Sequence, residues 1–102
     1  MNRNDAIQVI NTILSAKYRG TPYDMAVIEN DVIETEYGWI LHWYTRRFAE
    51  TGEDPDPMGG GGPAIVDRNG NVQFCGSANP EGDIMAFEMA HGYPVRRHNL
   101  WG

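Results

Sequence analysis

The chain contains 102 residues, with 14 acidic and 8 basic side chains and a formal net charge of −6. For a mass of 11.5 kDa, surface scaling allows about 65% of the unfolded surface to be buried, which is enough for one hydrophobic core. The composition, 41% hydrophobic, is that of a folded domain, and the length argues against a large cofactor-binding enzyme. We therefore predict a single domain over residues 1–92, followed by a tail over 93–102.

Features that determine compartment point to the cytoplasm. The single cysteine, Cys75, forms no disulfide within the chain, and no Cys-x-x-Cys spacing is present to hold zinc. The N-terminal residues lack the basic start and apolar run of a secretory signal. No apolar stretch approaches the roughly 18 residues that cross a bilayer. We expect a cytoplasmic protein that does not bind membranes.

The acidic charge is concentrated in the middle of the chain. Residues 24–56 carry nine acids against Arg46 and Arg47, a charge of −7, whereas residues 1–23 carry a charge of +2. Such a field repels phosphate backbones and attracts basic proteins, so we expect a basic protein partner and no nucleic acid. A simpler interpretation, in which the acids only keep a small protein soluble, stays open.

The first predicted element is a helix over residues 5–18, where apolar side chains recur at helical spacing and Pro22 follows the end. Two strands follow, over 25–28 and 33–45, both rich in β-branched and aromatic residues. Alternation along the second strand predicts four side chains on one face: Tyr37, Trp39, Leu41 and Trp43. Because both faces of this strand are apolar, it is predicted to be central, with its tryptophans in the core rather than on an exposed platform.

A loop rich in glycine and proline is predicted over residues 50–63. A hairpin with strands over 64–66 and 71–74 follows, because Asn69-Gly70 supplies the backbone angles that a tight turn requires. A second helix is predicted over 83–91, where apolar residues again recur at helical spacing. The predicted fold class is α+β, a small antiparallel sheet of about four strands with the N-terminal and C-terminal helices packed on one face.

No residue set in the sequence predicts catalysis, a metal site or a cofactor. Four consecutive glycines, residues 59–62, lead into Pro63 and a strand rather than into the Lys-Ser or Lys-Thr pair of a phosphate-binding loop. Cys75 together with His42, His91 or His98 offers a nucleophile and a base, but a lone cysteine after a strand is more often a small buried hydrophobic residue. We therefore predict a protein that is not an enzyme.

Several short motifs together carry a family resemblance. In chain order these are Tyr37-Gly38-Trp39, Arg47-Phe48-Ala49-Glu50-Thr51-Gly52, Gly62-Pro63-Ala64-Ile65-Val66-Asp67, Gly76 and Asn79-Pro80. Over about residues 30–90, this series resembles the YrhB-like family, also called Immunity protein 35, of bacterial toxin-immunity systems. The resemblance implies a small α+β protein, encoded beside a polymorphic or contact-dependent toxin, that binds and neutralises the toxin without catalysis. Some family members are regarded as chaperone-like, so suppression of aggregation is the alternative function.

The resemblance and the charge distribution together define two sets of residues. Nine motif residues are expected to serve structure: Gly38, Trp39, Phe48, Gly52, Pro63, Asp67, Gly70, Gly76 and Pro80. Six acids are predicted to bind the partner: Glu34, Glu36, Glu50, Glu53, Asp54 and Asp56. For the first two of these acids, the alternative is a solvated strand start. A homodimer that pairs through an exposed sheet edge also stays open.

Overall fold

The computed structural model describes residues 1–53 and 62–100. In chain order the elements are α1 (Arg3–Lys17), β1 (Met25–Val27), β2 (Ile33–Glu34), β3 (Gly38–Leu41), β4 (Trp43–Thr45), α2 (Arg46–Thr51), β5 (Ala64–Asp67), β6 (Val72–Phe74) and α3 (Pro80–Ala90). A short 3₁₀ helix, Glu29–Asp31, lies between β1 and β2. One antiparallel sheet has the strand order β2-β3-β5-β6, and β1 pairs with β4 in a separate antiparallel ribbon. This arrangement confirms the predicted α+β class and the predicted hairpin.

The single strand predicted over 33–45 is wrong, because the chain turns and changes sheet within it. The Thr35 hydroxyl oxygen accepts hydrogen bonds from the backbone N–H groups of Tyr37 (3.3 Å) and Gly38 (2.9 Å), which closes a tight turn between β2 and β3. After Leu41 the chain leaves the four-stranded sheet, and β4 pairs with β1 instead. A run of β-forming residues thus becomes three short strands.

The two central strands, β3 and β5, are buried on both faces. Their side chains pack with α1 in one core cluster, which contains Trp39, Leu41, Ala64 and Val66, and with α3 in a second cluster, which contains Ile40 and Ile65. The expectation that the N-terminal and C-terminal helices lie on one face of the sheet is therefore wrong. Both faces of the central strands carry apolar side chains, and a different helix buries each face. Tyr37 packs in the second cluster rather than with Trp39, since the turn before β3 interrupts the alternation.

The helix boundaries depend on polar caps rather than on apolar spacing. Helix α2 is too short to show a helical period, but the Thr45 hydroxyl caps its start at 3.2 Å and Gly52, with a φ of 79°, ends it. Helix α3 begins at Pro80, earlier than predicted, because the Asn79 side chain accepts a hydrogen bond from a backbone N–H of the first turn at 3.1 Å.

The pairing of β3 with β5 requires a glycine at residue 38. Gly38 lies opposite Asp67 in the register. A Cβ atom at this position would lie 2.6 Å from Asp67 Cα and closer still to the Val66 carbonyl oxygen. Both neighbours are backbone atoms of a buried strand, so they have little freedom to move away.

We expect Gly38→Ala to lower the free energy of unfolding by about 2 kcal/mol or more, since the added methyl group forces two paired strands apart. Urea unfolding followed by tryptophan fluorescence measures the loss. Gly20→Ala is the control, because a Cβ there meets nothing within 4 Å and only the φ of 81° disfavours it, at a cost of about 1 kcal/mol. Equal losses in the two variants would show that the close strand approach does not limit stability.

Candidate partner-binding site

Residues 93–100, here called the strap, follow α3 and pack against the rest of the protein. The Tyr93 ring stacks on the Tyr37 ring, with 4.5 Å between centroids and 9° between planes. At the other end of the strap, Leu100 is buried in the core cluster beneath α3. The strap is therefore held at both ends, and it borders two hollows in the protein surface.

The carboxylate of Glu88 in α3 is fully buried beneath the strap. It accepts hydrogen bonds from Tyr37 Oη (2.8 Å), from the His98 ring at Nε2 (2.8 Å) and from the Arg96 backbone N–H (3.3 Å). Burial raises the pKa of Tyr37 well above its ordinary value, and the hydrogen bond to Glu88 raises it further. Sequence reasoning missed this cluster, although Glu88 falls four residues after Ile84 on the buried face of α3.

A second buried carboxylate, Asp67, lies at the end of β5 and is also fully buried. It accepts hydrogen bonds from the backbone N–H groups of Asn69 (3.0 Å) and Asn71 (2.8 Å) and from Tyr93 Oη (2.7 Å). Burial acts to raise the pKa of Asp67, but the hydrogen bonds from Tyr93 and Asn71 lower it by more, and the net pKa lies below its ordinary value. Asp67 thus joins the hairpin turn to the strap.

Two of the predicted partner-binding acids lie at the turn between β2 and β3. Glu34 forms an ion pair with Arg68 at 3.3 Å, and Glu36 forms one with Arg96 of the strap at 3.1 Å. Both carboxylates are largely exposed, so each pair contributes little stability. With the strap they border a groove of about 400 Å³, whose inner wall includes Tyr37. We call this hollow the acidic groove.

The other predicted acids lie at or beyond the end of α2. Glu50 and Glu53 are exposed, and neither side chain forms an ion pair with any residue of 1–53 or 62–100. Helix α2 contacts β1 and β4, whereas the acidic groove lies beside β2 and the strap. No hydrogen bond joins the two groups of acids within the described ranges. Asp54 and Asp56 lie outside the described residues.

A second hollow, here called the strap cleft, lies between α3 and the strap and has a volume of about 310 Å³. Its apolar lining consists of Ile84, Met85, Val95 and Leu100. Its polar lining consists of Glu81, Arg96, Arg97 and His98. Because Arg96 and His98 also line the acidic groove, the two hollows meet at the strap. The sequence offered no periodic signal for the strap, and this surface was not predicted.

The nine motif residues lie mostly in turns, caps and buried strands. Trp39 is buried, as is Pro63, whose carbonyl oxygen accepts a hydrogen bond from the Cys75 N–H at 2.8 Å. Gly70 has a φ of 88° in the hairpin turn, and the Gly76 N–H donates to Asp83 at 2.7 Å. The remaining positions are Gly38 in β3, Phe48 in α2, Gly52 at the end of α2, Asp67 in β5 and Pro80 at the start of α3. Of these, the Phe48 ring is partly exposed and packs edge-on against Tyr44.

Among the described residues, the environment of Cys75 is not that of a reactive thiol. Cys75 is buried, as expected of a small hydrophobic residue after a strand. Burial, and to a smaller extent the negative charge of Asp83, raises the pKa of its thiol to about 12. A protonated thiol is a poor nucleophile at neutral pH. Within residues 1–53 and 62–100, no group of three or more His, Cys, Asp or Glu side chains is placed to hold a metal ion. No helix of the same residues has the length and apolar character to cross a membrane.

The described residues thus form an α+β fold with two solvent-open hollows beside the strap. The family model of Immunity protein 35 matches residues 4–84, and the chain belongs to this family. The match confirms the resemblance carried by the sequence motifs, extends it to α1 and supports an immunity function. It ends within α3, so the strap lies beyond the matched residues. Comparisons with curated proteins and with solved structures each found no significant match.

We expect Glu88→Ala to release the strap, since the Tyr37 hydroxyl and the His98 ring lose their buried acceptor. The expected loss in free energy of unfolding is about 3 kcal/mol. Limited trypsin digestion with mass spectrometry measures the release, because the bonds after Arg96 and Arg97 become accessible.

Two further variants calibrate this experiment. Tyr37→Phe removes one donor and retains the acceptor, so we expect a loss of about 1 kcal/mol and slower cleavage than in Glu88→Ala. Met89→Ala is the matched control, because Met89 is adjacent to Glu88 but 69% exposed. Cleavage of Glu88→Ala at the wild-type rate would show that this carboxylate does not hold the strap.

The lowered pKa of Asp67 predicts an acid-dependent loss of stability. The stabilisation by the ionised carboxylate is complete above the unfolded-state pKa, about 4, and is lost as pH falls through the lower folded-state pKa. We expect Asp67→Asn to be less stable than wild type at pH 7, and the difference to shrink below pH 4. Urea unfolding at several pH values measures it. A difference that stays constant down to pH 2 would mean that ionisation of Asp67 does not contribute.

Proposed function

We propose that this protein is an immunity protein that neutralises one cognate bacterial toxin by binding it, without a catalytic step of its own. Membership of the Immunity protein 35 family carries the proposal. Binding alone suffices for such a function, because a surface complementary to the toxin blocks its active site or the access of its substrate. The buried, protonated thiol of Cys75 is consistent with a protein that does not act as a nucleophilic enzyme.

The charge of the described surface favours a basic toxin. Glu50 and Glu53 are exposed without an ion pair among the described residues, so their charges are available to attract a cationic partner. Glu34 and Glu36 already face arginines, and a basic side chain of the toxin would have to compete with these partners. We therefore propose that the toxin is first attracted by the acids at the end of α2, Glu50 and Glu53, together with Asp54 and Asp56 in the adjoining sequence. Docking at the acidic groove would follow.

The net charge of −6 disfavours binding to nucleic acid and to anionic membranes, and we place the protein in the cytoplasm. Strand β6 is an edge strand of the four-stranded sheet, and pairing of two such edges is the route by which a homodimer would form.

One observation favours the alternative function, suppression of aggregation. Met85, Met89 and Val95 are exposed apolar side chains, two of them one helical turn apart on α3. Flexible methionines adapt to many apolar partners. A protein that suppresses aggregation would bind apolar segments whatever their charge, whereas a specific immunity protein would discriminate among them.

Growth rescue tests the proposed function. We expect co-expression of this protein to restore growth of cells that produce the toxin domain encoded beside its gene. Failure of the wild-type protein to rescue growth would overturn the proposal.

Charge reversal tests the assigned surface. We expect the double variant Glu50→Lys/Glu53→Lys to slow association with the same toxin about tenfold at low salt and less at physiological salt, as measured by stopped-flow fluorescence. The double variant Glu29→Lys/Asp31→Lys makes the same charge change in the 3₁₀ helix and is the control. Equal slowing by both pairs would mean that total charge, rather than the end of α2, attracts the toxin.

A further inference from the structure

We propose that the strap cleft binds a segment of the partner in which one large apolar side chain is followed by acidic residues. The identity of that partner, a segment of the toxin, rests on the proposed function. The apolar and acidic character of the segment is inferred from the apolar floor of the cleft, the charge of its rim and the fixed position of its strap wall.

The floor of the strap cleft is apolar. Ile84 and Leu100 are buried, whereas Met85 and Val95 are each 45% exposed and are accessible to a partner. The volume of about 310 Å³ lies at the lower end of the range for ligand sites, so the cleft has room for a single large side chain. The thioether of Met85 can adapt its rotamer to the shape of that side chain. The first element of the bound segment is therefore apolar.

The polar rim of the strap cleft is basic, in contrast to the rest of this acidic protein. It contains two arginines, Arg96 and Arg97, against one acid, Glu81, while the His98 ring bonds to the buried Glu88. Arg96 is already paired with Glu36, but Arg97 is exposed and has no ion-pair partner in the part of the chain that the structure describes. A guanidinium recognises a carboxylate through two parallel hydrogen bonds. Charge complementarity thus favours acidic residues next to the apolar side chain.

The strap wall is fixed before any partner binds. The residues on either side of Arg97 both bond to the buried Glu88, Arg96 through its backbone N–H and His98 through its ring. The backbone that carries the Arg97 guanidinium is therefore held in place from within. A preformed cleft avoids the ordering cost that a mobile segment would incur on binding. Glu88 acts here as a positioning residue.

Most of the strap cleft lies beyond the matched family region. Of its lining residues, only Glu81 and Ile84 lie within residues 4–84, and the others lie beyond them. Discrimination between partners requires contacts particular to each one. We therefore assign to the cleft a role in selecting the toxin, next to the electrostatic attraction by acids elsewhere on the surface.

A peptide titration tests the proposal without the toxin. The full chain, labelled with ¹⁵N, is titrated with Gly-Ser-Leu-Asp-Glu-Ser-Gly and with Gly-Ser-Leu-Lys-Lys-Ser-Gly, and chemical shifts are followed by NMR. We expect the acidic peptide to bind at least tenfold more tightly, with shifts centred on Ile84, Met85 and Leu100. Arg97→Glu should abolish this preference. Arg47→Glu, the same charge change in α2, should preserve it.

The outcomes separate this proposal from the proposed function. Absence of binding by the acidic peptide, or shifts remote from the cleft, would overturn the strap-cleft proposal and leave growth rescue unaffected. Equal binding of both peptides would also overturn it and would favour a suppressor of aggregation. Selective binding of the acidic peptide, with no growth rescue by the wild-type protein, would retain the cleft as a peptide site and overturn the immunity function.

Discussion

The carboxylate of Glu88 has no exposure to solvent, and the surrounding chain has to replace the water that it lost. An unpaired buried charge costs several kcal/mol, so the carboxylate needs donors from the protein. These donors come from Tyr37, in the turn that precedes β3, and from Arg96 and His98 of the strap. The turn, α3 and the strap therefore reach their positions together. Both hollows that border the strap depend on this mutual arrangement, because the strap forms one wall of each.

A stacked pair of tyrosines links this carboxylate to the second buried one. Tyr37 donates to Glu88 and Tyr93 donates to Asp67, while the two rings stack on each other. Asp67 in turn holds the hairpin between β5 and β6 through backbone N–H groups. The polar network thus crosses from the sheet to the end of the chain. Apolar burial alone would favour many packings of a short tail, whereas paired donors and acceptors specify one.

Different residues form the framework of the fold and its exposed surface. Most of the family motif residues lie in turns, caps and close strand contacts, where Gly38 and Asp67 shape the backbone. The exposed acids Glu50 and Glu53 and the residues that line the strap cleft are not among these motif residues. Under the proposed function, one shared fold would present different contact surfaces to different toxins. Electrostatic attraction increases the rate of encounter, and an apolar anchor slows dissociation.

The amino-acid sequence by itself determined the α+β class, the N-terminal helix, the β5–β6 hairpin and the family. Each of these follows from a local residue pattern or from short motifs in a fixed order along the chain. The spacing of apolar residues predicts α1, and Asn69-Gly70 predicts the turn between β5 and β6. The division of residues 33–45 into three strands was not apparent, since most residues of the run favour extended structure and the break depends on hydrogen bonds to the Thr35 hydroxyl. The sequence also located the acids, but it did not reveal that Glu34 and Glu36 face arginines from distant segments.

Only the tertiary structure decided that α1 and α3 cover opposite faces of the sheet, that Glu88 and Asp67 are buried, and that the strap encloses a cleft. Residues 37 and 67 are far in the chain from residues 88, 93 and 98, and the set follows neither the helical nor the strand period. Their hydrogen bonds form only when four parts of the fold pack together: the turn before β3, strand β5, helix α3 and the strap. Local propensity depends on neighbours in the chain, whereas the burial of a charge depends on neighbours in space, and this is why the composition and the motifs could not predict the network.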